Sequence, residues 1–225
     1  MADPLSPQEA YDRWAQDYDD ADPSTMLDEP FLASMLQPRE GHRILDLGCG
    51  TGRYISCVAR GDIRIVGLDL SRGMLDRARR RQSAAVSVAW VQASVENLPI
   101  IPRTFDRLMS GLVMDHVENL DRFFGGIASV LAPGGRAVVT AVHPAMQRMT
   151  GPVVRFTASG RQYLAEGRVH EVQDIVAAAE RQRLTIEELR EPRVDERLVA
   201  RRPSWRPRLG CPALLLLALT SGLER

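Results

Sequence analysis

Short apolar runs alternate with amphipathic stretches through the middle of the chain. Arg43–Leu47, Ile63–Leu68, Val86–Val91, Arg107–Ser110 and Ala137–Val142 are compact and rich in β-branched and aliphatic residues, the pattern of strands buried on both faces. Thr51–Arg60, Gly73–Gln82 and Leu120–Leu131 lie between them and carry apolar residues at helical spacing. Strand and helix in strict alternation predict a parallel sheet with right-handed crossovers. Upstream, Tyr11, Trp14, Ala15 and Tyr18 recur at helical spacing and predict an amphipathic helix over Pro7–Asp19, with a second over Leu27–Leu36. The rhythm breaks after His143. Pro, Gly, Thr and Ser interleave with Val153, Val154, Phe156 and Tyr163, so 144–167 reads as a loop or short hairpin. Glu171–Arg183 then reads as helix, and Thr185–Glu191 and Pro212–Leu219 as strands.

The first strand runs into Asp46-Leu47-Gly48-Cys49-Gly50-Thr51-Gly52-Arg53. A glycine-rich turn between strand and helix lets a ligand approach the backbone, because no Cβ intervenes. Arg53 stands where the third glycine of a dinucleotide fingerprint would fall. A carboxylate at Asp46 would repel a pyrophosphate and suits a ligand carrying an ammonium or sulfonium charge. The second strand ends at Asp69, about 20 positions after the loop, where an acid can accept from ribose hydroxyls. Ser71 follows at a helix N-cap position.

This combination resembles motif I of the class I S-adenosylmethionine (SAM)-dependent methyltransferases. Further motifs match in order: Asp69-Leu70-Ser71 with Met74, then Ala93-Ser94-Val95, then Phe105-Asp106 opening a strand with His116-Val117 after it, and Pro133-Gly134-Gly135. The pattern Tyr11-Asp12…Trp14-Ala15…Tyr18-Asp19 resembles the lid helix of small-molecule members, quinone-type C-methyltransferases and natural-product methyltransferases among them. The resemblance implies an α/β, Rossmann-like, seven-stranded and mostly parallel sheet, with helices on both faces and the last strand antiparallel. It implies one domain: a lid at 1–40, a SAM-binding core at 41–143, a substrate-side insertion at 144–170 and C-terminal elements at 171–225. It also implies SAM as cofactor, its amino-acid end held by Asp46, Gly48, Cys49, Gly50 and Gly52. Asp69, Leu70 and Met74 would serve ribose and adenine, Ser94 and Val95 the adenine edge, with Gly111 and Tyr18 completing the site. The family usually has an acid where this chain has Ser94, whose hydroxyl is shorter and uncharged.

With 225 residues, 44% of them hydrophobic and 26% charged, the chain suffices for one α/β domain. Formal net charge is zero, so nothing predicts a nucleic-acid partner. Arg77–Arg81 falls at a predicted helix C-terminus, where cations complement the dipole; Arg201, Arg202, Arg206 and Arg208 read as a solvated loop. Cys49, Cys57 and Cys211 match no zinc spacing, and no metal is expected. An odd cysteine count and an N-terminus without an apolar core predict a reduced, cytoplasmic setting. Ala213–Leu219 is too short to span a bilayer, so no membrane partner is expected. A homodimer stays open.

Methyl transfer needs an aligned acceptor, exclusion of water and, for a hydroxyl or activated carbon, removal of a proton. Histidine suits that removal near neutral pH. His143 ends the fifth strand, His116 follows the fourth and His170 closes the insertion; each is a candidate base. His42 precedes the first strand, on the opposite side. The expected function is methylation of a small-molecule acceptor at oxygen, carbon or nitrogen. The alternatives are a carrier-bound or protein acceptor docked near Arg201–Arg208, and a non-catalytic SAM-binding regulatory module.

Overall fold

The computed structural model describes residues 4–19, 27–83, 86–151 and 153–222; the rest, including 1–3 and 20–26 of the expected lid segment, lie outside the described residues. Helix α1 (Pro7–Trp14) starts on Ser6, whose hydroxyl accepts from Glu9 N–H, with Pro7 at its first position. It ends earlier than the apolar spacing predicts. Beyond Ala15 the chain turns, and Asp17 accepts from Ser159 N–H of the distant hairpin while Asp19 accepts from the Thr51 hydroxyl. Helix α2 (Glu29–Leu36) follows, and then strand β1 (Arg43–Leu47).

The helix expected over Thr51–Arg60 shrinks to α3 (Ile55–Val58). Gly52 sits at φ 71°, which a right-handed helix cannot accommodate, so the glycine loop runs on to Tyr54. Then come β2 (Arg64–Asp69), α4 (Arg72–Arg81), β3 (Ser87–Gln92), β4 (Phe105–Gly111), a 3-10 turn at Met114–His116, α5 (Leu120–Val130) and β5 (Leu131–Val142). The stretch 144–167, read as a loop or short hairpin, holds α6 (Pro144–Thr150) as well as the hairpin of β6 (Val153–Ala158) and β7 (Arg161–Glu166). Helix α7 (Val172–Arg181), β8 (Leu184–Arg190), α8 (Glu196–Arg201) and β9 (Leu214–Ser221) complete the chain.

The seven-stranded sheet has the order β3-β2-β1-β4-β5-β9-β8. Pairs among β1 to β5 are parallel, and β9 lies antiparallel between β5 and β8. Helices cover both faces. On one, Phe123, Phe124 and Ile127 of α5 and Ile175 and Ala178 of α7 pack on Val139, Leu215 and Leu217. On the other, Leu32, Met35 and Leu36 of α2 pack with Ile55 on Val138, Leu214 and Leu216. Successive leucines of β9 thus serve opposite layers, which is why this strand reads as one apolar run rather than an alternation. Each such side chain contributes roughly 1.5–3 kcal/mol on burial. The N-terminal segment joins the hairpin: Leu5 N–H donates to Leu164 O at 2.8 Å and Glu166 N–H to Leu5 O at 2.9 Å. Trp14 stacks on Phe156 at 4.9 Å. The chain reverses its direction of growth between β1 and β4, so a crevice opens beyond their carboxyl ends.

Candidate active site

The loop after β1 is built by backbone bonds. Gly48 and Cys49 N–H both donate to Leu68 O, at 2.7 and 2.9 Å, which ties it to β2. Gly48 adopts φ 74°, and a Cβ there would overlap the Val113 side chain. Gly50, at φ 52°, has open space where its Cβ would stand. Its N–H donates to Asp69 Oδ2 at 2.8 Å, and Asp69 Oδ1 accepts from Ser71 N–H at 2.8 Å. Asp69 therefore joins the loop to the N-terminus of α4, where Ser71 caps Met74 N–H. Helix α1 reaches this point too: Asp12 Oδ1 accepts from the Ser71 hydroxyl at 2.6 Å and from Gly73 N–H at 2.8 Å.

A cavity of about 390 Å³ fills the crevice, near the small end of ligand pockets. Tyr18, Gly48, Gly50, Asp69, Leu70, Met74, Ser94, Val95, Gly111 and His116, all named from the sequence, lie on its wall. Asp46, Cys49, Gly52, His143 and His170 do not. Cys49 is buried, packs toward Gly67, and has its thiol pKa raised well above the usual value by burial. Gly52 faces Trp90 and Ile55. Ser94 Oγ accepts from Glu96 N–H at 3.2 Å, leaving its own proton free to donate. Glu96, unmarked by sequence reasoning, lines the cavity and accepts from Glu118 and Asn119 N–H.

Asp46 lies beneath the loop, fully buried, with no hydrogen-bond partner for either carboxylate oxygen. Burial first, then the neighbouring Asp69, pushes its pKa up to about 8, against the pull of Arg53. The folded protein thus holds a proton here that the unfolded chain releases near pH 4. Stability from this group is full below the unfolded pKa and is lost as pH rises to about 8. Asp46→Asn, neutral throughout, is expected to gain on the wild type between pH 5 and pH 9 by on the order of a few kcal/mol. Urea unfolding of both proteins at several pH values measures this, and parallel profiles would refute it.

The three candidate histidines separate. Two of them lie off the cavity wall. His143 precedes Pro144, is held extended and caps α6: its Nδ1 accepts from Ala145 N–H at 3.1 Å, and its Nε2 donates to Glu191 Oε1 at 2.8 Å. It does not line the cavity. His170 Nε2 donates to Val117 O at 2.8 Å and braces that loop from outside the cavity. His116 alone lies on the wall. Its Nδ1 is 2.9 Å from Glu166 O, and a carbonyl only accepts, so Nδ1 carries the proton. Nε2 of the neutral ring then accepts from the Tyr11 hydroxyl at 2.9 Å. Asp115 Oδ1 stands 3.9 Å from the same nitrogen, outside hydrogen-bond reach. Tyr11 also lines the cavity, and burial raises its hydroxyl pKa well above the usual value. Its sequence signal was only the lid pattern. Nothing in the chain announced a partner 105 residues away.

Elsewhere, Arg206 pairs with Glu196, Arg202 stacks on Trp205, and Arg208 donates to Ser204 O, so much of the C-terminal basic patch is engaged internally. No helix among the described residues is long and apolar enough to cross a membrane.

Doubly wound topology, an open glycine cradle at the switch point and an acid at the end of β2 on the cavity wall together define an α/β enzyme with a nucleoside-type binding site. Residues 45–139 match the model of a methyltransferase domain. An uncharacterized methyltransferase of Emericella nidulans is 31% identical, over 85% of this chain and 82% of its own length. A demethylmenaquinone methyltransferase of Tropheryma whipplei is 34% identical, over 54% of this chain and 50% of its own. The crystal structure of an S-adenosylmethionine-dependent methyltransferase from Mesorhizobium loti superposes with a TM-score of 0.71 at 26% identity, covering 86% of this chain and 97% of that one. The chain belongs to the S-adenosylmethionine-dependent methyltransferase family, and S-adenosylmethionine is its cofactor.

Proposed function

We propose that the protein methylates a small-molecule acceptor, with His116 as the base that receives the acceptor's proton. When bound, S-adenosylmethionine supplies a methyl group already activated on a sulfonium sulfur. The glycine loop at Gly48 and Gly50, both on the cavity wall, would give it a backbone cradle. Asp69 accepts from its ribose, and Ser94 and Val95 meet its adenine. His116 carries this reading: among the candidate bases it is the one on the cavity wall, with its tautomer set by Glu166 O and its accepting Nε2 turned to the Tyr11 hydroxyl. Tyr11 donates to that nitrogen, so a proton entering on the Tyr11 oxygen can leave as the phenolic proton passes to Nε2. Asp115, at 3.9 Å, favours the imidazolium that forms. Helix α1 contributes Pro7, Gln8 and Tyr11 to the cavity wall, which narrows the access of water to the reacting groups. The small volume of the crevice supports a small acceptor over a docked macromolecule.

A panel of phenols, quinols, amines and carrier-bound acyl groups, read by S-adenosylhomocysteine formation, tests the proposal. Turnover is expected with free small molecules and insensitive to added salt. Turnover confined to carrier-bound or protein acceptors, and suppressed by salt, would sink it.

A further inference from the structure

Behind the cavity wall, side chains from three distant stretches of the chain meet out of water. Asp28 precedes α2, Arg53 and Tyr54 end the glycine loop, and Thr140 lies on β5; their exposures are 0%, 6%, 2% and 0%. Tyr54 Oη donates to Asp28 Oδ2 at 2.6 Å, and the Thr140 hydroxyl donates to the same oxygen. Arg53 Nη2 donates to Tyr54 Oη and stands 3.5 Å from Asp28 Oδ1. None of these four residues lines the cavity.

Two of them nevertheless bear on one turn of its wall. Gly111 and Leu112 both line the cavity. The Tyr54 hydroxyl occupies the place of the missing Gly111 Cβ. Leu112 is left-handed, at φ 56°, a strained state for a leucine. Its N–H is held by Thr140 O at 3.0 Å and Thr140 Oγ1 at 3.2 Å. The 3-10 turn bearing His116 follows at once.

A buried ion pair is weak evidence for stability, since desolvation cancels much of its attraction. Fixing one geometry is the better account here. We propose that Asp28 is a positioning residue for the cofactor site. By accepting both hydroxyls it orients Thr140 and Tyr54, and they hold the Gly111–Leu112 turn in its strained, ligand-facing shape. This inference rests on the cofactor and is independent of the role given to His116.

The test is calorimetric titration with S-adenosylhomocysteine, with a thermal melt of every variant. Thr140→Val keeps the volume and removes the hydroxyl; Tyr54→Phe does the same at the other contact. Each is expected to weaken affinity roughly ten-fold, the weight of one hydrogen bond to a charged group. Thr140→Ser, which keeps the hydroxyl, should bind within about two-fold of wild type. Ile175→Ala destabilises the α7 layer, away from the cavity, and should leave affinity unchanged. Should Thr140→Val fail to fold, Tyr54→Phe carries the test. Wild-type affinity in the hydroxyl-deleted variants would overturn the inference, as would an affinity that simply follows melting temperature through Ile175→Ala.

Discussion

His116→Asn is expected to lower kcat by roughly 10²–10⁴-fold, the usual weight of a positioned general base, while S-adenosylhomocysteine affinity changes little. Asparagine is chosen because its amide nitrogen falls near Nδ1 and can still donate to Glu166 O, so the hairpin stays tied. What it lacks is the lone pair at Nε2. The loss should therefore appear in turnover and leave folding and cofactor binding alone. Tyr11→Phe separates the direct route from the relay. A loss comparable to that of His116→Asn means the proton travels through the phenol, whereas near-normal turnover means the acceptor meets Nε2 itself. Wild-type kcat in His116→Asn, with a responsive acceptor in hand, would end the base assignment and leave alignment as the protein's contribution.

Gly48→Ala is expected to cost about 2–5 kcal/mol of stability and at least ten-fold in cofactor affinity. Two effects add. The left-handed backbone, at φ 74°, costs an alanine about 1–2 kcal/mol. The new methyl would also overlap Val113, a β-branched side chain with little freedom to turn aside, worth about 1–3 kcal/mol. Relief comes only by moving the loop or the residues that lead to His116, and both line the cavity. Gly160→Ala is the control. It is also left-handed, at φ 74° in the hairpin turn, but its Cβ would meet nothing. It should show the conformational cost and no change in affinity. Urea unfolding and calorimetry on both variants decide the matter, and equal affinities would mean the loop absorbs the methyl without consequence.

Much of the fold was legible in the chain because parallel strands buried on both faces leave uninterrupted apolar runs. The runs at Arg43–Leu47 and Ile63–Leu68 became β1 and β2 with at most a one-residue shift. Helical spacing was less reliable near special backbone. Gly52 adopts a left-handed conformation that periodicity does not register, and the helix expected from Thr51 begins at Ile55. The stretch 144–167 forms the short hairpin that the sequence allowed, together with α6, which it did not announce. Val153, Phe156 and Tyr163 are scattered in sequence, and only pairing in the β6–β7 register puts Phe156 opposite Tyr163.

The sequence by itself determined the sheet, the glycine loop and the acids at the ends of β1 and β2, because each is set by residues within one strand–loop–helix unit. It carried the cofactor class for the same reason. Only the tertiary structure separates the surroundings of the histidines. His143, His116 and His170 are chemically equal in the chain, and their roles depend on partners brought by other elements: Glu191 and the α6 backbone, Tyr11 with Glu166 O, and Val117 O. The convergence of Asp28, Arg53, Tyr54 and Thr140 is of the same kind. A contact spanning 112 residues leaves no local pattern, because only close packing of the finished fold brings its partners together.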